Sequence, residues 1–126
     1  MNVRRKNTEA AERFAERRRR EEAAPRLRER VPELTTLRLE VEELTDSIAC
    51  SKHVRHIVVE RAPALFVLPC GDPSCKGGGY EITDSVMHGL RSHAERFEAD
   101  DRCLGSTGNA SCRRSVHVIA LATYSK

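Results

Sequence analysis

A chain of 126 residues with 4% aromatics, no Trp and 33% charged residues has material for one domain and an appendage, and it excludes a large aromatic-rich core. The net charge of +3 is unevenly spread: residues 1–30 hold 11 Lys/Arg against 6 Glu, and residues 31–126 hold 11 against 13 Asp/Glu, so attraction to a polyanion is to be sought in the first thirty residues. No window approaches the ~18 apolar residues of a membrane span, and Met1 to Lys6 runs into Thr8, Glu9 and an Arg-rich segment where a leader would be apolar. The expectation is a soluble cytoplasmic protein without a membrane partner.

Asn7 or Thr8 can cap a helix from Glu9 to Ala24, in which Glu9 with Arg13 and Glu16 with Arg20 make favourable i,i+4 pairs. Its apolar face is thin, Phe14 and several alanines, and Pro25 ends it. Pro32 marks the entry to the body, which gives a division into a basic helical arm, 1–31, and an α+β domain, 32–126. Arg13, Arg17, Arg18, Arg19 and Arg20 cluster on the arm. Guanidinium groups suit phosphate, so this cluster is the candidate contact to nucleic acid or a ribonucleoprotein assembly; a solvated helix face, or pairing with a protein partner, fits the same residues.

Leu34 to Leu44 alternates, with Leu37, Leu39 and Val41 on one face and Thr36, Arg38, Glu40 and Glu42 on the other, the pattern of a half-exposed strand. A polar link around Asp46 to Ser51 leads to a second strand, His53 to Arg61. Ala64 to Leu68 is apolar on both faces and reads as the central strand, delivering Cys70 at its end. Tyr80 to Ile82 reads as a short strand. Thr83 or Asp84 caps a helix in which Val86, Met87, Leu90, Ala94 and Phe97 recur at helical spacing to about Glu98, with Gly89 marking close packing. Ser115 to Tyr124 is the last strand, with Val116, Val118, Ala120, Ala122 and Tyr124 on one face. The fold class is α+β: a small antiparallel sheet of about four strands with one packed helix.

Four of the five cysteines fall in two glycine-containing turns, Cys70-Gly71-Asp72-Pro73-Ser74-Cys75 followed by Lys76 and three glycines, and Cys103-Leu104-Gly105 with a polar loop to Cys112. Paired thiolates suit the borderline-soft Zn²⁺ ion, which takes four tetrahedral ligands, and glycine amides can donate to the sulfurs. Cys70, Cys75, Cys103 and Cys112 are therefore candidate ligands of a structural zinc. Two disulfides, unligated buried thiols and an iron–sulfur cluster are the other readings of the same four residues. Cys50 lies away from the turns and is expected to be a buried bystander.

The two cysteine turns resemble those of the zinc-ribbon and treble-clef class, in which turns from different parts of the chain share one ion. The resemblance covers Cys70 to Cys112; the turns depart from the usual Cys-Pro-x-Cys-Gly pattern in spacing and proline position. The Gly77-Gly78-Gly79-Tyr80-Glu81-Ile82-Thr83 continuation is similar to small bacterial zinc-binding proteins of uncharacterised activity. His93-Ala94-Glu95 matches the His-x-Glu of zinc deaminases, but the order relative to Pro69-Cys70 is reversed, and four cysteines close a shell that catalysis leaves open. His53, His56, His88, His93 and His117 are expected to be surface or packing residues. The chain thus reads as a non-enzymatic protein with structural Zn²⁺ and a basic arm for nucleic acid; a protein-interaction or regulatory module is the alternative.

Overall fold

The computed structural model describes residue 12 and residues 15–125. Arg13 and the expected start of the arm helix lie outside the described residues. Helix α1 covers residues 15–23 and ends before Pro25, where the ring removes a donor and blocks the next turn. A short helix, α2 (Leu27–Arg30), follows at once.

The main sheet is antiparallel and four-stranded. Its strands are β1 (Leu34–Thr45), β2 (Ile48–Ile57), β5 (Arg96–Arg102) and β8 (Arg114–Tyr124), in the order β2-β1-β8-β5. Two further pairs stand apart: β3 (Val67–Leu68) with β4 (Tyr80–Glu81), and β6 (Ser106–Thr107) with β7 (Ala110–Ser111). The remaining helix is α3 (Thr83–Arg91). The alternation of β1 and β8 is realised as read. Leu37 opposes Ala122, Leu39 opposes Ala120 and Val41 opposes Val118, and all six are buried in one core. Leu27, Val59, Phe66, Tyr80, Ile82, Val86 and Leu90 complete that core from the segments outside the sheet.

Four expectations are corrected. The second strand begins at Ile48, not His53, because Asp46 and Ser47 both take positive φ (50° and 67°) and make a two-residue hairpin turn closed by the Thr45–Ile48 pair. Ala64 to Leu68 is buried in part but is no strand of the main sheet. It is a strap whose backbone bonds Pro25 at one end and whose last two residues pair with β4, and Pro69 removes the donor that would extend the ladder. The helix after Thr83 ends at Arg91. His93 takes φ 52°, its N–H bonds Leu90 O and the next N–H, of Ala94, bonds Gly89 O, a Schellman close built on a histidine. The chain is then free to return as β5, so Phe97 is a strand residue whose ring covers Gly89, leaving no room there for a side chain. Thr83 does not cap α3; its hydroxyl bonds the Phe66 backbone instead.

The arm boundary also moves. Leu27 and Val31 are 0% and 2% exposed, and residues 25–27 hydrogen-bond to 62–64 through Leu27 N to Ala62 O and Ala64 N to Pro25 O. The segment 25–31 therefore belongs to the body, because its two apolar side chains fill the core. Truncating one should act like any deep core deletion: Leu27→Ala is expected to destabilise the metal-loaded protein by about 2–5 kcal/mol, read as a lowered midpoint in chemical denaturation. An unchanged midpoint would return this segment to the arm.

Candidate metal centre

The loop between β3 and β4 carries Cys70 and Cys75, and the connection from β5 to β8 carries Cys103 and Cys112. Each side has its own local device. In the first, Cys75 N–H bonds Asp72 O at 3.0 Å and Ser74 N–H bonds Asp72 Oδ1 at 2.8 Å, folding the turn so that Cys70 and Cys75 face the same way. In the second, the small β6–β7 hairpin pairs Ser106 with Ser111 and Thr107 with Ala110, so the eight residues separating Cys103 from Cys112 fold back and set the two cysteines side by side. The wide spacing is the length of a hairpin.

The two sides are stitched together by backbone. Lys76 N–H bonds Ser106 O at 2.8 Å and Ser106 N–H bonds Lys76 O at 3.0 Å. Such approach requires glycine on both sides: a Cβ on Gly105 would lie 2.5 Å from Cys75 Sγ and 2.7 Å from Gly78 Cα, and one on Gly78 would collide with the Cys103 and Cys75 sulfurs.

All four sulfurs consequently lie within 4.8 Å of one another. The shortest separations cross between the turns, Cys75 to Cys103 at 3.5 Å and Cys70 to Cys112 at 3.8 Å. Zn–S bonds of about 2.3 Å in a tetrahedron place sulfurs roughly 3.8 Å apart, so the set fits a metal ion of that size. All five cysteines are free thiols, so the two-disulfide reading is not what the fold shows. Cys103 and Cys112 are buried and Cys70 and Cys75 half-buried. Burial, with the neighbouring sulfurs adding to it, pushes the Cys70 and Cys75 thiols up from their ordinary range. Burial raises Cys103, but amide donation from Gly105 and Gly79 together with donation from the Cys75 and Cys112 thiols outweighs it and the thiol is lowered. The Gly79 N–H stands 3.4 Å from the Cys103 sulfur. A cluster in which one thiol is lowered while burial raises Cys70 and Cys75 is one whose deprotonation a cation would favour.

Sequence reading missed the residue that joins this centre to the sheet. Glu43 continues the inward series Leu37, Leu39, Val41, and it is 7% exposed. Its carboxylate accepts from Gly71 N–H at 2.9 Å and from the Tyr80 hydroxyl at 2.7 Å, and lies 3.7 Å from Arg114. Gly71 follows Cys70, Tyr80 follows the glycine run, and Arg114 opens β8, so one buried anion anchors both cysteine segments. Burial, with the Glu43 bond, pushes the Tyr80 hydroxyl far up, keeping it a donor. The available signal was a carboxylate in register with an apolar face.

Cys50 is a second correction. It is exposed, not buried. The β1–β2 register slips between Glu43 and Leu44, where Ser51 and Ala49 are the partners, so Cys50 is the bulged residue and its thiol bonds Glu43 O. The His-x-Glu at 93–95 sits at the α3–β5 turn, with His93 stacked on Tyr124 at 4.7 Å and 3.4 Å from Glu33; no histidine joins the four-sulfur cluster. On α1, Arg17 pairs with Glu21 at 3.4 Å, Arg18 with Glu22 at 3.5 Å, and Arg20 with Glu81 at 2.8 Å. Arg17 and Arg20 line a groove against Leu68, Pro69 and the glycine run, so α1 runs beside the cysteine loop.

No family model, no curated protein and no solved structure matches this chain. The site therefore stands on its own geometry.

Removing the Glu43 carboxylate leaves a buried hydroxyl and an amide without their acceptor and a guanidinium without its counter-charge. Glu43→Ala is expected to cost about 3 kcal/mol of stability and to weaken metal binding by about 10- to 100-fold. Chelator competition beside chemical denaturation separates the two; metal affinity equal to that of the unaltered protein would refute the anchoring role.

Proposed function

We propose that the chain is a non-enzymatic zinc-binding protein in which Zn²⁺, held by Cys70, Cys75, Cys103 and Cys112, is structural. The observation that carries this reading is the cluster of four free thiols within 4.8 Å, built from turns that two glycines and a backbone bridge press together. An all-cysteine tetrahedral shell leaves no position for water or substrate, which favours a structural role over a catalytic one. Four reduced thiols also suit a reducing compartment such as the cytoplasm.

The arm is the candidate contact to nucleic acid or a ribonucleoprotein assembly through Arg17, Arg18, Arg19 and Arg20. Its ion pairs support the second reading, a protein-interaction module, because Arg17, Arg18 and Arg20 each already face a carboxylate and so present a weaker field to phosphate.

Protein purified without added metal should carry one zinc per chain, and chelation should unfold it. Cys70→Ser or Cys103→Ser should act like chelation, whereas Cys50→Ser should leave metal content and stability unchanged. A metal-free, cooperatively folded protein would overturn the reading. For the arm, replacing Arg17, Arg18 and Arg19 by Gln leaves the buried Leu27 in place. If the arm contacts nucleic acid, binding of a mixed-sequence single-stranded RNA should weaken with salt and be lost in this variant. Absence of both RNA and DNA binding at low salt would sink the nucleic-acid reading.

A further inference from the structure

The main sheet has an open edge of unusual composition. Strand β2 pairs with β1 on one side, and among the described residues nothing pairs with its other side. Alternate residues of such a strand point their N–H and C=O groups away from the sheet, where they require a partner or water. Beyond the Cys50 bulge the register from Ser51 to Ile57 runs unbroken against Glu43 to Leu37, giving a straight edge. No proline interrupts it.

The formal charges along this edge are of one sign. Residues 48–57 contain Lys52 and Arg55, with His53 and His56 between and beside them, and no carboxylate, within a body that is net acidic. No ion pair joins any of these four among the described residues, although Glu60, Glu98, Asp46 and Asp100 are all engaged elsewhere. Lysine on an edge can serve only to repel other edges. This edge also exposes apolar side chains, Ile48 at 72% and Val54 at 48%, with Val58 at 58% just beyond, which a purely defensive edge would replace.

We infer that β2 is a docking edge for an acidic, extended peptide segment, which adds to the sheet as a fifth strand beside Ser51–Ile57. Backbone bonds supply the pairing, Lys52 and Arg55 face its carboxylates from opposite faces of the sheet, and Val54 packs on its alternate apolar side chains. Charge decides among the occupants. A second copy paired antiparallel about Val54 would set Lys52 against His56 and Arg55 against His53, offering neither cation a carboxylate. A nucleic acid lying on the outer face would meet Glu40 and Glu42, which stand opposite Val54 and Lys52 on β1, whereas a peptide lying in the plane of the sheet avoids them. The inference is independent of what fills the cysteine cluster, provided the body is folded.

The test is selection of random octapeptides from a displayed library on the full, metal-loaded chain, followed by backbone-amide NMR with the enriched peptide. The expected result is enrichment of Asp/Glu-containing, proline-free sequences, amide shifts concentrated at 51–57, and affinity reduced at least about tenfold in Lys52→Gln/Arg55→Gln, whose metal content and circular dichroism should match the unaltered protein. A proline at the centre of the peptide should abolish binding, since it removes an edge hydrogen bond. The inference is overturned by no enrichment, by basic sequences, by shifts located elsewhere, by binding that survives the double variant, by RNA binding to β2 in place of peptide, or by sedimentation showing that β2 pairs copies of this chain.

Discussion

Two loops from different parts of the fold meet sulfur to sulfur, and the arrangement of the body depends on that meeting. The β3–β4 loop has little regular structure of its own, and the β5–β8 connection is a four-residue ladder. Burial and the neighbouring sulfurs raise the Cys70 and Cys75 thiols, so drawing off their protons at this meeting point calls for a cation. A structural zinc in such a site would contribute an apparent ~10–16 kcal/mol, comparable with the ~5–15 kcal/mol net stability of a whole domain. On the reading proposed above, the sheet and helix supply the shape and the metal would hold it.

Glu43 transmits this constraint to the sheet. Any loop can hold a metal, but a loop hinged only at its ends leaves its ligands free to swing. Here the amide beside Cys70, the hydroxyl of Tyr80 and the guanidinium of Arg114 converge on one buried carboxylate at the end of the apolar face of β1. Burying a charge there costs several kcal/mol unless it is hydrogen-bonded and paired, and two donors and one counter-charge do that. These three groups belong to three different segments, so satisfying the carboxylate also ties both cysteine segments to the sheet.

The sequence was legible where side-chain period and local chemistry agreed. Alternation gave β1 and β8 nearly to the residue because each has one buried and one wetter face, and the cysteine quartet was legible because its ligands are of one kind in two glycine turns. β2 was misplaced because an edge strand exposed along nearly its whole length has no alternation to read, and because the hairpin turn uses Asp46-Ser47, residues that tolerate positive φ less readily than Asn-Gly. β5 was hidden inside an apparent helix: Ala94 and Phe97 continue the period of α3 by coincidence, and the stop is a histidine in the conformation that glycine ordinarily marks. The strap at Ala64–Leu68 was called central because burial on all sides looks alike whether a segment is covered by strands or by loops. Glu43 needed the register of β1 against β8 before its position among apolar residues acquired meaning.

Charge is partitioned in the fold more finely than between arm and body. Arg17 and Arg18 are neutralised within their own helix and Arg20 is spent on Glu81, so the arginine run that dominates the sequence is largely balanced in place. On the far side of the sheet, His117 bonds Asp100 at 2.7 Å and lies 3.3 Å from Glu98, and the Asp100 bond raises its pKa despite partial burial. Those pairs balance β5 and β8 against each other. What they leave over is the cationic run along β2, whose side chains stay in water on an edge whose backbone is open. A surface charge with a neighbour to pair is worth little beyond that pair. Lys52 and Arg55, which make no ion pair among the described residues and sit beside unpaired backbone, are the part of this molecule with unused capacity to bind.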